Sequence, residues 1–268
     1  MSKVNYRQLA RQSLERAQSL LAEDDDDVLR YAALELRLCM EALTYDRAQA
    51  YKKEIPPEEW GKWQPRQVMK LLLEIDPDAD RNYSLHVGEE PYPGGQPERM
   101  HAMGAETVFG LSDLKQSYDA VGSILHMPTM LQMEAGKNHS TEKMRARCND
   151  SAAALAKALS SPIWNFTVGE FASCDCAECG ARVRRRMPRE FYQLRAKCFH
   201  CKAEYDVILQ ENREVTFKPR VCDLSCPTVG CEARFVLWEH QVRAGARWQC
   251  KKCEKPYGIM LGIAPVTD

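Results

Sequence analysis

The chain has 268 residues, of which 44% are hydrophobic, and its formal net charge is −1. This length suffices for two or three domains with a sizeable core. The sequence contains no run of about 18 apolar residues, which is the length needed to span a membrane. The start of the chain lacks the apolar segment of a secretory signal, so we expect a cytoplasmic protein with no membrane partner.

The first part of the chain is predicted to be a helical bundle. Apolar residues recur at helical spacing, and capping residues and prolines mark the ends. The second helix is apolar on nearly all sides, which is typical of a central bundle helix. Glycine and proline are frequent from residue 88 to residue 104, so that segment is predicted to be irregular. The predicted helices cover residues 6–22, 28–51, 64–76, 112–127 and 141–159.

The last third of the chain contains the same cysteine pattern twice, with the shared residues displaced by 52 positions. Residues 179–182 match residues 231–234, and residues 195–205 match residues 247–257. Such a regular recurrence indicates one small folding unit built twice. Ten of the twelve cysteines lie in this region, and in a reducing compartment this clustering favours metal ligation over disulfides.

Pairs of Cys-x₂₋₄-Cys turns joined by short strands are typical of zinc ribbons, so we predict two of them, each with one zinc ion. Four-thiolate sites leave no position for water, and the zinc is therefore expected to be structural. The predicted ligands are Cys176, Cys179, Cys198 and Cys201 in a ribbon over residues 163–215, and Cys226, Cys231, Cys250 and Cys253 in a ribbon over residues 216–268.

Two alternatives for these ligands stay open. The 52-residue displacement maps Cys226 onto Cys174, so Cys174 could replace Cys176 in the first ribbon. Cys222 could likewise replace Cys226 in the second. The turn Cys-x-x-Cys-Gly favours Cys176, since the glycine suits a tight turn that points amides at thiolates.

Basic side chains are concentrated in the C-terminal part. Residues 170–268 hold 17 Lys and Arg against 13 Asp and Glu, whereas residues 1–169 hold 20 against 25. Here cations are mixed with aromatic residues, which suits single-stranded RNA through phosphate contacts and base stacking. A protein-binding surface is the alternative. The predicted nucleic-acid-binding residues are Arg184, Arg185, Arg186, Arg189, Arg195 and Lys197.

The segment Arg81-Asn-Tyr-Ser-Leu-His86 fits the pattern Arg-x₄-His with a polar residue directly after the arginine. With the helices around it, this motif resembles the HEPN ribonucleases. The resemblance implies RNA cleavage without a metal, in which His86 is the general acid or base and Arg81 stabilises the charged phosphate. It also implies a homo-oligomer, because two subunits bring their motifs together. Arg37 and His126, from different helices, are the alternative pair.

The whole layout resembles the ring-activated zinc-finger ribonucleases of bacterial antiphage defence. That resemblance implies a toxic endoribonuclease activated by a ring-forming phage protein, with the ribbons binding RNA or sensing the trigger. The alternative is a non-enzymatic oligomeric adaptor whose ribbons bind nucleic acid or protein. The expected fold class is α+β, with an N-terminal all-α, HEPN-like helical bundle over residues 1–162 followed by two tandem zinc ribbons with short β-strands.

Overall fold

The computed structural model describes residues 4–55, 59, 61, 64–93, 95–127, 129–134, 140–167, 170–187, 193–212, 214–260 and 262. The chain divides into two compact units, residues 1–168 and residues 169–268. The first is mostly helical and the second consists of short antiparallel strands, so the predicted α+β class is confirmed.

The described part of the first unit contains six α-helices. Five of them begin and end close to the positions that the hydrophobic period predicts, and the short α5 was not predicted. Local capping sets the ends: the Asn5 side chain accepts a hydrogen bond from the Gln8 amide at 3.0 Å, and Pro65 occupies the first turn of its helix. The helices are α1 (Tyr6–Leu21), α2 (Leu29–Gln49), α3 (Pro65–Ile75), α4 (Leu111–Leu125), α5 (Met130–Glu134) and α6 (Thr141–Leu159).

Helix α2 is the centre of this unit and contacts α1, α3, α4 and α6. Its inner face is fully buried and packs against apolar residues of all four neighbours, as expected for the most apolar helix of the chain. The largest fully buried side chains of the unit are Leu29, Leu36, Met40, Tyr51, Met69, Leu72, Ile75, Leu114, Val121, Ile124 and Leu155.

The helical unit also contains a β-hairpin, formed by β1 (Tyr83–Val87) and β2 (His101–Glu106). The prediction of an irregular segment is therefore wrong for residues 101–104. A bulge interrupts the ladder, since Leu85 pairs with Gly104 and His86 pairs with Ala102. A side chain at position 104 would meet Pro162 at 2.8 Å, and Gly104 has a φ of +140°, so only glycine fits there.

A buried polar cluster ties the end of the helical unit to its core. Arg47 pairs with Glu106 at 3.3 Å, and both side chains are more than nine-tenths buried. The same carboxylate accepts the Asn165 backbone amide at 3.0 Å, while the Asn165 side chain donates to Asp46 at 2.8 Å. The segment 163–167 thus lies within the helical unit, beyond the boundary predicted after residue 162.

The described part of the second unit contains nine strands in four antiparallel sheets. Strands β3 and β4 form a pair, β5, β6 and β7 form a three-stranded sheet, and β8–β9 and β10–β11 form two further pairs. Because β7 pairs with β6, the first ribbon extends past the predicted division at residue 215. The strands are β3 (Phe171–Asp175), β4 (Arg182–Arg186), β5 (Gln193–Lys197), β6 (Glu204–Leu209), β7 (Val215–Pro219), β8 (Val221–Ser225), β9 (Arg234–Trp238), β10 (Arg247–Gln249) and β11 (Pro256–Gly258).

Candidate metal centres

The first group of thiols lies between two strand pairs. Cys176 and Cys179 occupy the turn from β3 to β4, and Cys198 and Cys201 occupy the turn from β5 to β6. The sulfur atoms of Cys176 and Cys201 are 3.5 Å apart, and those of Cys179 and Cys198 are 3.6 Å apart. All four sulfurs lie within 4.8 Å of one another, which is close enough to share one ion.

The second group repeats this arrangement. Cys226 and Cys231 lie between β8 and β9, and Cys250 and Cys253 lie between β10 and β11. The sulfurs of Cys226 and Cys253 are 3.7 Å apart, and those of Cys231 and Cys250 are 3.8 Å apart. These four sulfurs also lie within 4.8 Å of one another.

The sulfur spacing fits a tetrahedral ion. Four thiolates at about 2.3 Å from a zinc ion stand about 3.8 Å from one another at the corners of a regular tetrahedron. The 3.5–3.8 Å separations are close to this edge length and far longer than a disulfide bond of about 2.05 Å. All twelve cysteines are free thiols. The two groups could therefore bind one metal ion each, with four protein ligands and no open coordination position.

The open alternatives for the ligands are decided by turn length. Cys174 lies in β3 opposite Val183, and Cys222 lies in β8 opposite Leu237, so neither belongs to a thiol group. The amide of the first ligand donates to Ala181 in one ribbon and to Ala233 in the other. This turn is two residues longer in the second ribbon, which explains why the 52-residue displacement points to Cys174.

Three of the four ligand turns close in the same way. The residue after the second cysteine is Gly180, Lys202 or Glu254, and its amide donates to the carbonyl of the first cysteine at 2.8–2.9 Å. All three residues have positive φ, between +56° and +74°. This left-handed conformation curls the backbone around the sulfurs and orients amide groups toward them.

Each group also has a tyrosine that the repeat retains. The Tyr205 hydroxyl donates to the Cys176 sulfur at 3.2 Å, and the Tyr257 hydroxyl lies 3.2 Å from the Cys226 sulfur. Sequence reasoning did not single out these tyrosines, although their recurrence at the same displacement was the available signal. A donor to a ligating sulfur orients the ligand and stabilises its charged form.

Hydrogen bonding, acting against burial, lowers the pKa of Cys176 in the first group and of Cys226 and Cys253 in the second. Burial opposes ionisation of Cys176, but hydrogen bonds from Tyr205 and two backbone amides outweigh it and lower the pKa of this thiol to about 7. The Lys255 amide, against the effect of burial and with help from Tyr257, lowers the pKa of Cys253 to about 6. Thiolate is the form that binds metals. Each group therefore has a thiol that ionises near neutral pH and can bind a metal ion before the others do.

The two groups differ in the packing around them. A buried cluster that includes Val183, Ala196, Tyr205 and Val207 surrounds the first group. Trp238 of β9 joins that cluster and donates to Glu178 at 2.7 Å, so the second ribbon contacts the first. Around the second group three half-buried aromatic rings pack at centroid distances of 5.9–6.1 Å, namely Phe235, Trp248 and Tyr257.

The first candidate catalytic pair does not lie at the start of a helix. Arg81 is in a turn before β1, where its side chain is 74% exposed and pairs with Asp78 at 2.9 Å. His86 is an exposed residue of β1. HEPN motifs begin a helix, so the local structure here differs from what the resemblance implies.

The alternative pair consists of a residue within α2 and the residue that ends α4. The Arg37 guanidinium pairs with Glu41 at 3.3 Å and lies 4.6 Å from the centre of the Tyr118 ring. His126 is the exposed residue that ends α4, eight residues beyond Tyr118. Arg37 is therefore held by Glu41 and Tyr118. Along α4, eight helical residues rise about 12 Å, so His126 lies about two helical turns beyond Tyr118.

The predicted nucleic-acid-binding residues fall into two sets. Alternation along β4 places Arg182, Arg184 and Arg186 on one face, whereas Arg185 shares the other face with buried Val183. The Arg184 guanidinium lies 4.3 Å from the centre of the Phe171 ring in β3. Arg189 lies outside the described residues.

The second set is opposed by acidic side chains. Arg195 pairs across the ladder with Asp206, and Lys197 pairs with Glu204. Opposite charges at directly paired positions attract each other, although Asp206 also pairs with Arg220 at 2.9 Å. On β4, Arg182 likewise stands opposite Asp175 and pairs with it at 3.7 Å, whereas Arg184 and Arg186 stand opposite uncharged residues.

Comparisons with protein-family models, curated proteins and solved structures found no match to this chain. The fold and the sites define an α+β protein whose C-terminal unit contains two groups of four cysteines. Among the described residues, no helix is long and apolar enough to cross a membrane.

Proposed function

We propose that the C-terminal unit is a pair of structural zinc ribbons that binds single-stranded RNA. The outer face of β4 carries the proposal: it aligns three arginines beside an aromatic ring on the neighbouring strand. Guanidinium groups bind phosphates, and aromatic side chains stack with bases. Zinc suits the metal centres because four thiolates in a tetrahedron favour it over harder cations.

The register supports β4 as the RNA-binding strand. Arg184 stands opposite Ser173 and Arg186 stands opposite Phe171, while Arg182 stands opposite Asp175 and pairs with it at 3.7 Å. The arginines on one face of an extended strand are about 7 Å apart, a spacing comparable to that of successive phosphates in an extended single strand. A flat strand surface without a helix to enter a groove also suits unpaired bases better than a duplex.

RNA binding is tested with full-length, zinc-loaded protein and a fluorescent single-stranded RNA of uridines in an anisotropy titration. Changing Arg184 and Arg186 to Gln is expected to weaken binding about tenfold or more and to flatten its salt dependence, because each phosphate contact contributes about 0.7 to the salt slope. The matched control changes Arg195 and Lys197 to Gln, removing the same charge from β5. Equal losses in both variants, or binding that is insensitive to salt, would contradict the proposal.

We propose as a second candidate that the helical unit is a metal-independent endoribonuclease that requires self-association. The favouring observation is that Arg81 and His86 are both exposed and that the His86 side chain makes no hydrogen bond to another described residue. A second copy could supply the groups that one copy lacks. The histidine would move the proton of the 2′-hydroxyl, and the arginine would stabilise the charged phosphate. Activation by a ring-forming phage protein, location in the cytoplasm and toxicity belong to this candidate.

Ribonuclease activity is tested with labelled RNA and a chelator too weak to remove the zinc, with and without a ring-forming phage protein. Cleavage is expected to persist in the chelator and to be lost in His86→Ala, or in His126→Ala if the alternative pair is used. No cleavage under either condition, or unchanged cleavage in both variants, would favour a non-enzymatic RNA-binding adaptor.

A further inference from the structure

Helix α2 has a second apolar face that the described residues leave partly exposed. Tyr31, Leu34 and Leu38 are 64%, 45% and 42% exposed, although the opposite face of the same helix is the centre of the bundle. We call these three residues the α2 stripe. Their spacing of three and four residues is the spacing at which a helix packs along a second helix. Single exposed leucines are common, but an aligned row of large apolar residues indicates an interface.

Neighbouring residues extend the α2 stripe in both directions. Tyr45 continues it by one heptad, and its ring lies 5.4 Å from that of Tyr6 in α1. Leu9, one helical turn beyond Tyr6 on α1, is also exposed. The described apolar surface therefore follows α2 for about 21 Å and includes one edge of α1.

The charges beside the α2 stripe select its partner and orientation. In heptad terms Tyr31, Leu38 and Tyr45 occupy a positions, Arg30 is a g position and Glu35 is the following e position. Parallel pairing of two identical helices places g beside the next e of the partner, which here joins Arg30 to Glu35 of the other copy in both directions. Antiparallel pairing would instead place g beside g, opposing Arg30 to Arg37.

The described contacts leave Arg30 available for such a pair. It is exposed, and its side chain makes no ion pair or hydrogen bond with another described residue. Glu35 accepts one hydrogen bond from Arg16 at 2.9 Å, and a carboxylate can accept further donors. The next d position is occupied by Glu41. Its carboxylate pairs with Arg37 on the same helix at 3.3 Å and accepts the Tyr118 hydroxyl at 3.0 Å.

We propose that two copies of this chain associate through their α2 stripes, with the two α2 helices parallel about a two-fold axis. Two heptads are too short to hold an isolated coiled coil, but the rest of the bundle already keeps α2 helical, so association need not order it. An interface limited to one helix face is small, so we expect the dimer to be reversible. This proposal locates a surface for the self-association that the second candidate function requires, but it is argued from the α2 stripe alone.

The association is tested by sedimentation of the full-length, zinc-loaded protein over a wide concentration range. The unaltered chain is expected to dimerise, and Leu38→Glu is expected to raise the dissociation constant at least about 100-fold, because it buries two like charges at the symmetry axis. Tyr31→Glu, at the most exposed position of the α2 stripe, should weaken the dimer as well. Met130→Glu, at a position 84% exposed on α5, is the matched control and should leave association unchanged.

A monomer at every concentration, or equal weakening by Met130→Glu, would overturn the proposal. Melting curves of each variant separate a lost interface from a lost fold, and Tyr31→Glu keeps the test valid if Leu38→Glu unfolds the bundle. Orientation is tested by oxidation of Tyr31→Cys, with the unaltered chain and Met130→Cys as references. A parallel dimer brings the two new thiols together and forms a covalent dimer at least about tenfold faster than the references. Dimerisation without that cross-link would overturn the parallel arrangement.

Discussion

At the scale of single residues, Tyr205 and Tyr257 show that residues retained by a sequence repeat can share a structural role. Each recurs at the common displacement, and each places its hydroxyl 3.2 Å from the sulfur of the first ligand in its ribbon. Tyr205 also accepts the Ala177 amide at 2.8 Å, so one hydroxyl connects the ligand turn to the strand that carries the tyrosine. The two tyrosines therefore contact the cysteine that comes first in each thiol group, and we expect them to influence metal affinity through it.

We expect Tyr205→Phe to lower the zinc affinity of the first site about tenfold, because loss of a hydrogen bond to a ligand typically costs 10–100-fold. The phenylalanine keeps the buried ring and so keeps most of the packing. Competition with a chromophoric chelator measures the affinity, and Tyr92→Phe on the exposed loop is the control. An affinity equal to that of the unaltered protein would show that the hydroxyl supports only the turn.

Cys174 shows what residue-level prediction from the sequence leaves open. Spacing selects candidate ligands but does not show how many residues a turn needs to bring two sulfurs to one ion. The eight thiols that the spacing favours are those that the structure groups, and the two spare cysteines lie on strands. Backbone pairing of β3 with β4 separates Cys174 from Cys176, and that pairing is a property of the folded chain.

At the scale of elements, the β1–β2 hairpin and the segment after α6 depend on one buried cluster. Glu106 at the end of β2 receives Arg47 from α2 and the Asn165 amide from that segment. The Tyr83 hydroxyl of β1 accepts the Phe166 amide at 2.7 Å, and burial together with the neighbouring Glu106 carboxylate raises the pKa of the tyrosine to about 12. The cluster therefore connects three elements that are distant in the sequence.

We expect Glu106→Gln to destabilise the helical unit by about 3 kcal/mol, because removing one member of a buried ion pair leaves the other charge uncompensated. Urea unfolding followed by the helical circular dichroism signal measures the free energy of unfolding. Arg81→Gln, which breaks the exposed pair with Asp78, is the control and should change this free energy little. Equal effects of the two substitutions would mean that the cluster does not stabilise the unit.

The hairpin could not be predicted with the helices because its signals are weak. A helix of 16 to 21 residues repeats its apolar period several times, whereas β1 has five residues and β2 has six. A long segment rich in glycine and proline separates the two strands, so the sequence has no tight two-residue turn to indicate pairing. The pairing register of β1 and β2 is set by contacts between the two strands and by the close approach of Gly104 to Pro162.

At the scale of the whole molecule, the two units are stabilised by different physical causes. The helical unit buries large apolar side chains from every long helix, whereas the second unit buries few and concentrates them around the first thiol group. Small domains with so little core usually require a metal or disulfides. Because all twelve cysteines are free thiols, metal binding by the two thiol groups is the proposed source of stability.

We expect removal of zinc by a strong chelator to unfold the C-terminal unit and to leave the helical unit folded. Hydrogen exchange should rise along β3 to β11 and stay low in α1, α2 and α6, and two equivalents of zinc should restore the protection. Elemental analysis is expected to find two zinc ions per chain. Fewer than two, or a C-terminal unit that stays protected without metal, would contradict the assignment of the ribbons.

The sequence alone determined the features that depend on neighbours along the chain: the long helices, the doubled ribbon and the cysteine turns. Periodicity, capping and ligand spacing are local properties of short segments. Only the tertiary structure decided which distant side chains meet. It placed Arg37 against Glu41 and Tyr118, placed His86 in a strand, set acidic residues opposite Arg195 and Lys197, and left one face of α2 partly exposed. Those outcomes depend on how helices and strands pack, and packing is a balance over the whole chain that no single segment encodes.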